Sequence, residues 1–274
     1  MKYRYLMASD MDLTLIMPRS DVSAANMEAI RALQANGVAF TIATGRSSFL
    51  VDKYASILGI DVPLITGNGS ALWDSSTRSH VYSADFPEEK LRSLLKLCLD
   101  NDVDCTLYST EGVFLTPASS RQWFCDDYNE GLPEELKAPV TRIGRSFLDE
   151  KIPEFNKFLL INVCDKIAEE LRDDPDLYVV SSGPTFYDVM VKGVSKGNAL
   201  LDLADYLGIP RENTFAIGDS ENDLSMIRSA RYGIAMGNSD QEVLDAASYI
   251  TTVCEEDGFA KAVFEYVLPL VNGN

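Results

Sequence analysis

A single histidine, His80, is all the imidazole this 274-residue chain contains. One such side chain cannot build a histidine-rich zinc centre. Its place in Thr77-Arg78-Ser79-His80, beside turn formers, reads as a solvated hairpin residue rather than a catalytic base. Positive charge is scarce too: 24 Lys and Arg stand against 42 Asp and Glu, for a net charge of −18. Nucleic-acid backbones and anionic membranes would be repelled, so neither is an expected partner. No apolar run is long enough to span a bilayer, and Met1-Lys2-Tyr3-Arg4-Tyr5 leads into a strand rather than a signal-peptide core. The expected compartment is the cytoplasm. Five cysteines, Cys98, Cys105, Cys125, Cys164 and Cys254, are odd in number and lack metal-type spacing, which favours buried or semi-buried free thiols. Internal repeats and low-complexity segments are absent.

The 46% of residues that are hydrophobic can bury a sizeable core, and the length suits two domains. From the N-terminus the pattern reads strand Tyr5 to Ser9, helix from about Ser23 to Asn36, strand Val38 to Ala43, helix to Leu58 and strand Pro63 to Thr66. Such βαβαβ alternation predicts a parallel sheet with right-handed crossovers. Asn36-Gly37 and Gly59 close the two helices. After Ala84 the rhythm changes to clustered strands (Val103 to Leu107, Gly112 to Leu115, Lys157 to Val163, Leu177 to Ser181, Phe186 to Val191) and a few helices (Pro87 to Cys98, Ser119 to Tyr128, Asp165 to Arg172). An α+β insertion is implied. Alternation resumes at Lys196, through strands Phe215 to Ile217 and Tyr232 to Ala235, to a final helix near Phe259 to Val267. The expected architecture is α/β, a Rossmann-like parallel-sheet core at 1–84 and 187–274 with an inserted α+β cap at 85–186.

Asp10-Met11-Asp12-Leu13-Thr14 follows the apolar run Tyr5 to Ala8 and places two carboxylates one residue apart at the end of a buried strand. In a period-two strand residues 10 and 12 point the same way, and in open parallel sheets ligands bind outside the carboxyl ends of the strands. Two acids there need a cation, and an oxygen-rich pocket suits magnesium. Thr214 to Gly218 is a second apolar strand running into acids, Asp219-Ser220-Glu221-Asn222-Asp223, which also serve as a helix cap. Two strand ends of this kind can share one metal.

Four separated motifs now resemble the haloacid dehalogenase-like phosphatase superfamily, and more narrowly its Cof-type branch with a large inserted cap: Asp10 to Thr14, Thr44-Gly45-Arg46, Lys196 within Gly193 to Asn198, and Gly218 to Asp223. Their order and spacing span nearly the whole chain. The branch usually carries Gly where this chain has Leu13, so the local turn or pocket wall is expected to differ. The resemblance implies that Asp10 is a nucleophile forming an aspartyl-phosphate. Asp12 would be the acid/base, with a useful pKa above that of a free Asp. It further implies magnesium contacts from the Asp10 carboxylate, the Asp12 main-chain carbonyl and Asp219, supported by Asp223. Phosphate contacts would come from the Met11 amide, Thr44, the Gly45 amide, Lys196 and Asn222.

Lys196 opens an amphipathic helix with Ala199, Leu200, Leu203, Ala204 and Leu207 on its buried face and Gly208 at its end. A lysine in a first turn opposes the helix dipole, which is understandable if it neutralises phosphate and Asp10. Arg46 reads equally as a surface arginine or a substrate contact, and Asn68 in Gly67-Asn68-Gly69 as a turn or a residue facing substrate. Asp188 occupies a place where relatives often carry an acid facing the phosphate-binding lysine; a solvated strand residue is the alternative. Residues 85–186 carry 11 Lys and Arg against 21 Asp and Glu, a cap poorly suited to polyanions unless a local arginine intervenes. Trp73, Trp123, Phe124, Tyr128 and Tyr187 could stack on a ring or fill core. The expected activity is magnesium-dependent hydrolysis of a small phosphorylated metabolite, a sugar phosphate or phosphorylated cofactor. The alternatives are a phosphosugar mutase and a phosphate-ligand binding or regulatory protein.

Overall fold

The computed structural model describes residues 2–18 and 20–273. Its first strand, β1 (Tyr5–Ser9), carries the run Leu6-Met7-Ala8 with no exposed surface, as a strand covered on both faces requires. Helix α1 (Ala24–Ala35) starts where the Ser23 hydroxyl accepts from the Asn26 amide at 3.1 Å, and leads to β2 (Val38–Ile42), parallel to β1. After α2 (Asp52–Leu58), which Gly59 ends in a left-handed cap, the chain enters β3 (Leu64–Thr66). This strand departs from the expected parallel sheet. Its backbone pairing with the core is a single parallel bridge between Ala43 and Ile65, and it pairs antiparallel with β4 (Ala71–Asp74), itself paired with β5 (Ser79–Ser83). The hairpin that follows claims the edge a core neighbour would have used.

The inserted part begins with α3 (Glu88–Asp100), whose Leu91, Leu94, Leu95 and Cys98 are buried at helical spacing. Next come β6 (Asp104–Ser109), β7 (Val113–Leu115), α4 (Gln122–Asn129), β8 (Val140–Arg142), β9 (Phe155–Ile161), α5 (Asp165–Asp173), β10 (Leu177–Ser181) and β11 (Phe186–Val191). Six strands form one sheet in the order β10-β11-β9-β6-β7-β8, antiparallel except for the β7-β8 pair. The short, half-exposed β8 has no apolar alternation and was not foreseen. The expected return to the core at residue 187 cuts through β11, which is hydrogen-bonded to β9 and β10 along its length.

The chain re-enters the core with α6 (Lys196–Leu207), β12 (Thr214–Gly218), α7 (Leu224–Ser229), β13 (Tyr232–Ala235), α8 (Gln241–Ala246) and β14 (Tyr249–Ile250). It ends in α9 (Gly258–Ala262), a π-helical turn at Val263–Val267 and α10 (Leu268–Val271), where a single helix was expected. The core sheet is fully parallel in the order β14-β13-β12-β1-β2. β1 and β12 are neighbours, Ser9 opposite Ile217, so the acids following each strand emerge side by side.

All five cysteines are free; four are buried and Cys164 is exposed. His80 lies on the β4-β5 hairpin but is only half-exposed: it packs edge-on against Trp73 at 4.8 Å and pairs with the Ser48 hydroxyl at 3.1 Å, and burial lowers its pKa. Asn26 ties the loop after β1 to the C-terminal helices. Its Nδ2 donates to the Leu15 carbonyl at 3.0 Å and its Oδ1 accepts from the Ala260 amide at 3.1 Å. Asn26→Leu would orphan both backbone groups in an apolar setting, so unfolding in urea should show a loss of about 2–4 kcal/mol; a loss under about 0.5 kcal/mol would mean that the tie contributes nothing.

Candidate active site

Because β1 ends at Ser9, Asp10 to Leu13 form a tight loop rather than a continuation of the strand, with Leu15 and Ile16 donating back to the Met11 carbonyl. Asp10 turns inward and is 7% exposed, while the Asp12 carboxylate is 47% exposed at the pocket wall. From the next strand end come Asp219 and Asp223. One carboxylate oxygen from each of Asp10, Asp219 and Asp223 lies within 4.8 Å of the others. Lys196, at the first position of α6, has no exposed surface; its ammonium reaches Asp10 Oδ1 at 2.5 Å and Asp223 Oδ1 at 2.7 Å. The sequence-level puzzle of a lysine at a helix N-terminus is resolved by these two partners.

Asp223 has both oxygens engaged, the second accepting from the amides of Asp219 at 2.9 Å and Ser220 at 3.0 Å. Its carboxylate packs so closely beneath Gly218 that a Cβ there would lie 2.4 Å from Asp223 Cγ. Asp219 accepts from Thr14 at 2.8 Å and Ser220 at 3.0 Å. Burial, joined by the Asp223 charge, pushes Asp219 up to about 6 against these hydrogen bonds. Asp10 is also raised well above the usual carboxylate range by burial and by Asp223, with Lys196 opposing. For Lys196 burial works against the charge, but Asp10 and Asp223 outweigh it and raise its pKa. Three crowded carboxylates against one ammonium leave an excess of negative charge, and the donors are all hard oxygens; the residues present fit a magnesium ion.

Thr44 is buried, but it caps neither following helix; its hydroxyl accepts from the Arg46 amide at 3.2 Å within the loop after β2. The amides of Met11 and Gly45 make no hydrogen bond among the described residues. Arg46 is not a surface arginine. Its guanidinium, 15% exposed, grips Asp12 with two bonds of 2.9 and 2.5 Å. Asn68 sits in a left-handed turn at φ 58° and also bridges two site residues, donating to Asp188 at 2.7 Å and accepting from Asn222 at 3.1 Å. The expected Asp188 to Lys196 pairing is absent: Asp188, fully buried on β11, pairs with Lys157 at 2.6 Å.

Lys157 is the residue that pattern reasoning missed. It lies on β9, the strand between β11 and β6, where Phe158 and Leu160 enter the core of the inserted part while Lys157 and Leu159 face the pocket. Its ammonium also donates to the Gly45 carbonyl at 2.6 Å, joining the six-stranded sheet to the loop after β2. Burial lowers its pKa against the pull of Asp188. A lone lysine immediately before the run Phe158-Leu159-Leu160-Ile161, in a strand buried along its whole length, was the available signal, because a strand buried on both faces has no place for a charge without a partner. Between the two parts lies a pocket of about 500 Å³ lined by Asp10, Asp12, Thr44, Arg46, Asn222 and aromatic residues that include Tyr108, Phe124 and Tyr128. Arg121 and Lys157 come from the inserted part, so the wall is locally cationic despite the acidic composition around it.

A family model described as haloacid dehalogenase-like hydrolase matches residues 7–263. A 5-amino-6-(5-phospho-D-ribitylamino)uracil phosphatase of Bacillus subtilis (strain 168) is 32% identical over 96% of each chain. A pyridoxal phosphate phosphatase of Escherichia coli (strain K12) is 24% identical over 96% of this chain and 98% of that one. Among solved structures, a haloacid dehalogenase-like hydrolase of B. subtilis aligns with a TM-score of 0.83 at 25% identity, covering 96% of this chain and 99% of the other.

Leu13 occupies φ 62°, the left-handed region, where a side chain with a Cβ is strained and glycine is not. The glycine usual in the branch thus has a backbone reason. Leu13→Gly should raise stability by up to about 1 kcal/mol, the relief of strain less glycine's entropy loss; an unfolding midpoint that falls would show that the leucine side chain contributes more than its backbone costs. Asp219 yields a pH prediction. Its folded pKa, about 6, lies above its unfolded value, so without metal the folded state binds the extra proton and stability falls as pH rises from about 4 to 6. Asp219→Asn removes that dependence. Its stability relative to wild type should therefore climb by about 1–2 kcal/mol between pH 5 and 7.5 in chelator, and a constant difference would refute the raised pKa.

Proposed function

The chain belongs to the haloacid dehalogenase-like hydrolases and is a phosphatase, and from that premise we propose that it hydrolyses a small phosphate monoester by transient phosphorylation of Asp10. The observation that carries this reading is the buried Asp10 carboxylate, aimed from the end of β1 and fixed by Lys196 at 2.5 Å. An Asp10 oxygen attacks phosphorus; the new P–O bond forms as the ester P–O bond breaks, and Asp12 gives its proton to the departing alkoxide. Water then attacks the aspartyl-phosphate, Asp12 takes its proton, and inorganic phosphate and free Asp10 are restored. Before either transfer, Asp12 must exchange its Arg46 contacts for the substrate or water.

Lys196, the Met11 and Gly45 amides, Thr44 and Asn222 would hold the phosphoryl oxygens. Asn68 positions Asn222 through their 3.1 Å hydrogen bond. Magnesium, held by Asp10, Asp219 and the Asp12 carbonyl with Asp223 in support, would supply positive charge that offsets repulsion between nucleophile and substrate. The six-stranded part acts as a cap that closes over the site and excludes water. The relatives' named substrates, a ribitylaminouracil phosphate and pyridoxal phosphate, support a small metabolite over a macromolecule.

Phosphate release from a panel of sugar, nucleotide and cofactor phosphates in magnesium tests this reading. Asp10→Asn should lower the best rate by more than about 10³-fold with the fold intact by circular dichroism. A surviving rate would remove Asp10 from the nucleophile's role.

A further inference from the structure

The outer wall of the pocket alternates cations and rings across the junction of the two parts. The Arg121 guanidinium lies 3.8 Å from the centre of the Phe124 ring; Arg46 lies 5.3 Å from the same ring and 6.0 Å from Tyr54. The Lys53 ammonium continues the series, 5.3 Å from Tyr54 and 4.6 Å from Tyr128. Phe124 and Tyr128 are one helical turn apart on α4 and share a face, whereas Arg46, Lys53 and Tyr54 come from the core. Three positive charges are thereby lined up along flat, apolar surfaces.

Only the middle cation is neutralised. Arg46 has Asp12, but among the described residues neither the Arg121 nor the Lys53 side chain has a salt bridge or hydrogen bond. Asp127 also lines this wall and, with Asp21, attracts Lys53 from beyond ion-pair distance. Their pull is outweighed: burial and the repulsion of Arg46 hold the Lys53 pKa below its ordinary value. Two half-buried cations with no acid at ion-pair distance is an arrangement that an incoming anion improves, and the neighbouring rings offer that anion's scaffold a face to stack on.

We propose that Arg121 and Lys53 form a subsite for a second negatively charged substituent, such as a carboxylate, on a flat ring in the leaving group of the substrate. The proposal rests on the reading that the phosphoryl group is cleaved at Asp10. It narrows the substrate to ring-bearing monoesters with two acidic ends, the phosphate at the strand termini and the other against α4.

The probes are phenyl phosphate and its 3- and 4-carboxy derivatives, which differ only by the second charge. In magnesium the wild type should hydrolyse the better carboxyphenyl ester with a kcat/KM about tenfold or more above that of phenyl phosphate. Arg121→Met and Lys53→Met should each bring the ratio most of the way towards one. Arg121→Lys and Lys53→Arg, which keep the charge, should retain most of it, so that lost preference is separated from lost folding. A wild-type ratio of one or less, or a preference undiminished in both methionine variants, overturns the subsite. If no phosphate ester at all is hydrolysed, the Asp10 reading fails instead.

Discussion

The ammonium of Lys196 is the charge on which the catalytic end of the molecule depends. It is sealed from solvent and lies 2.5 Å from Asp10 and 2.7 Å from Asp223, residues that close β1 and follow β12. Remove it and two buried carboxylates face a third with no counter-charge, a loss of about 3–5 kcal/mol for a broken buried pair. Its position also explains local details that otherwise look unrelated. Ser195 caps α6 so that the lysine stands at the first helical position; Gly218 lacks a Cβ so that Asp223 can approach; Asp223 Oδ2 takes two backbone amides so that Oδ1 stays aimed at the ammonium. The folding of three chain segments and the electrostatics of the acidic cluster converge on one nitrogen.

Around that centre the surplus of negative charge has two outlets. Protonation is one, seen in the raised pKa values of Asp10 and Asp219. A hard divalent cation is the other. Proton and cation would compete for the same oxygens, so one outlet closes as the other opens.

Much of the architecture was legible in the residues because strand ends announce themselves: an apolar run, then acids, gave Asp10, Asp219 and Asp223, and capping chemistry bounded α1, α2 and α6. What escaped were pairings between distant segments. β3 has the composition of a core strand yet pairs with β4, since the alternative hairpin is only visible once the chain is folded. β11 was read among the inserted strands, yet the expected boundary at residue 187 cut through it, because its pairing with β9 and β10 along its length shows only in the fold. Arg46 gripping Asp12 across 34 residues, and Lys157 reaching both Asp188 and the Gly45 carbonyl, leave no periodic trace. A charged residue at the head of an apolar run was the hint for Lys157.

Lys157 and Asp188 sit on the adjacent strands β9 and β11 of the same six-stranded sheet, so their ion pair travels as a unit. The links from this pair to the other half of the molecule are neutral-partner hydrogen bonds, to the Gly45 carbonyl and from the Asn68 amide. Any parting of the two halves therefore separates no cation from its anion at this point. The work of opening is that of exchanging two hydrogen bonds for water, about 1–3 kcal/mol each when charge-assisted, and it is recovered on reclosure. Such a latch is reversible: strong enough to register the two halves, weak enough to be broken and remade at little cost.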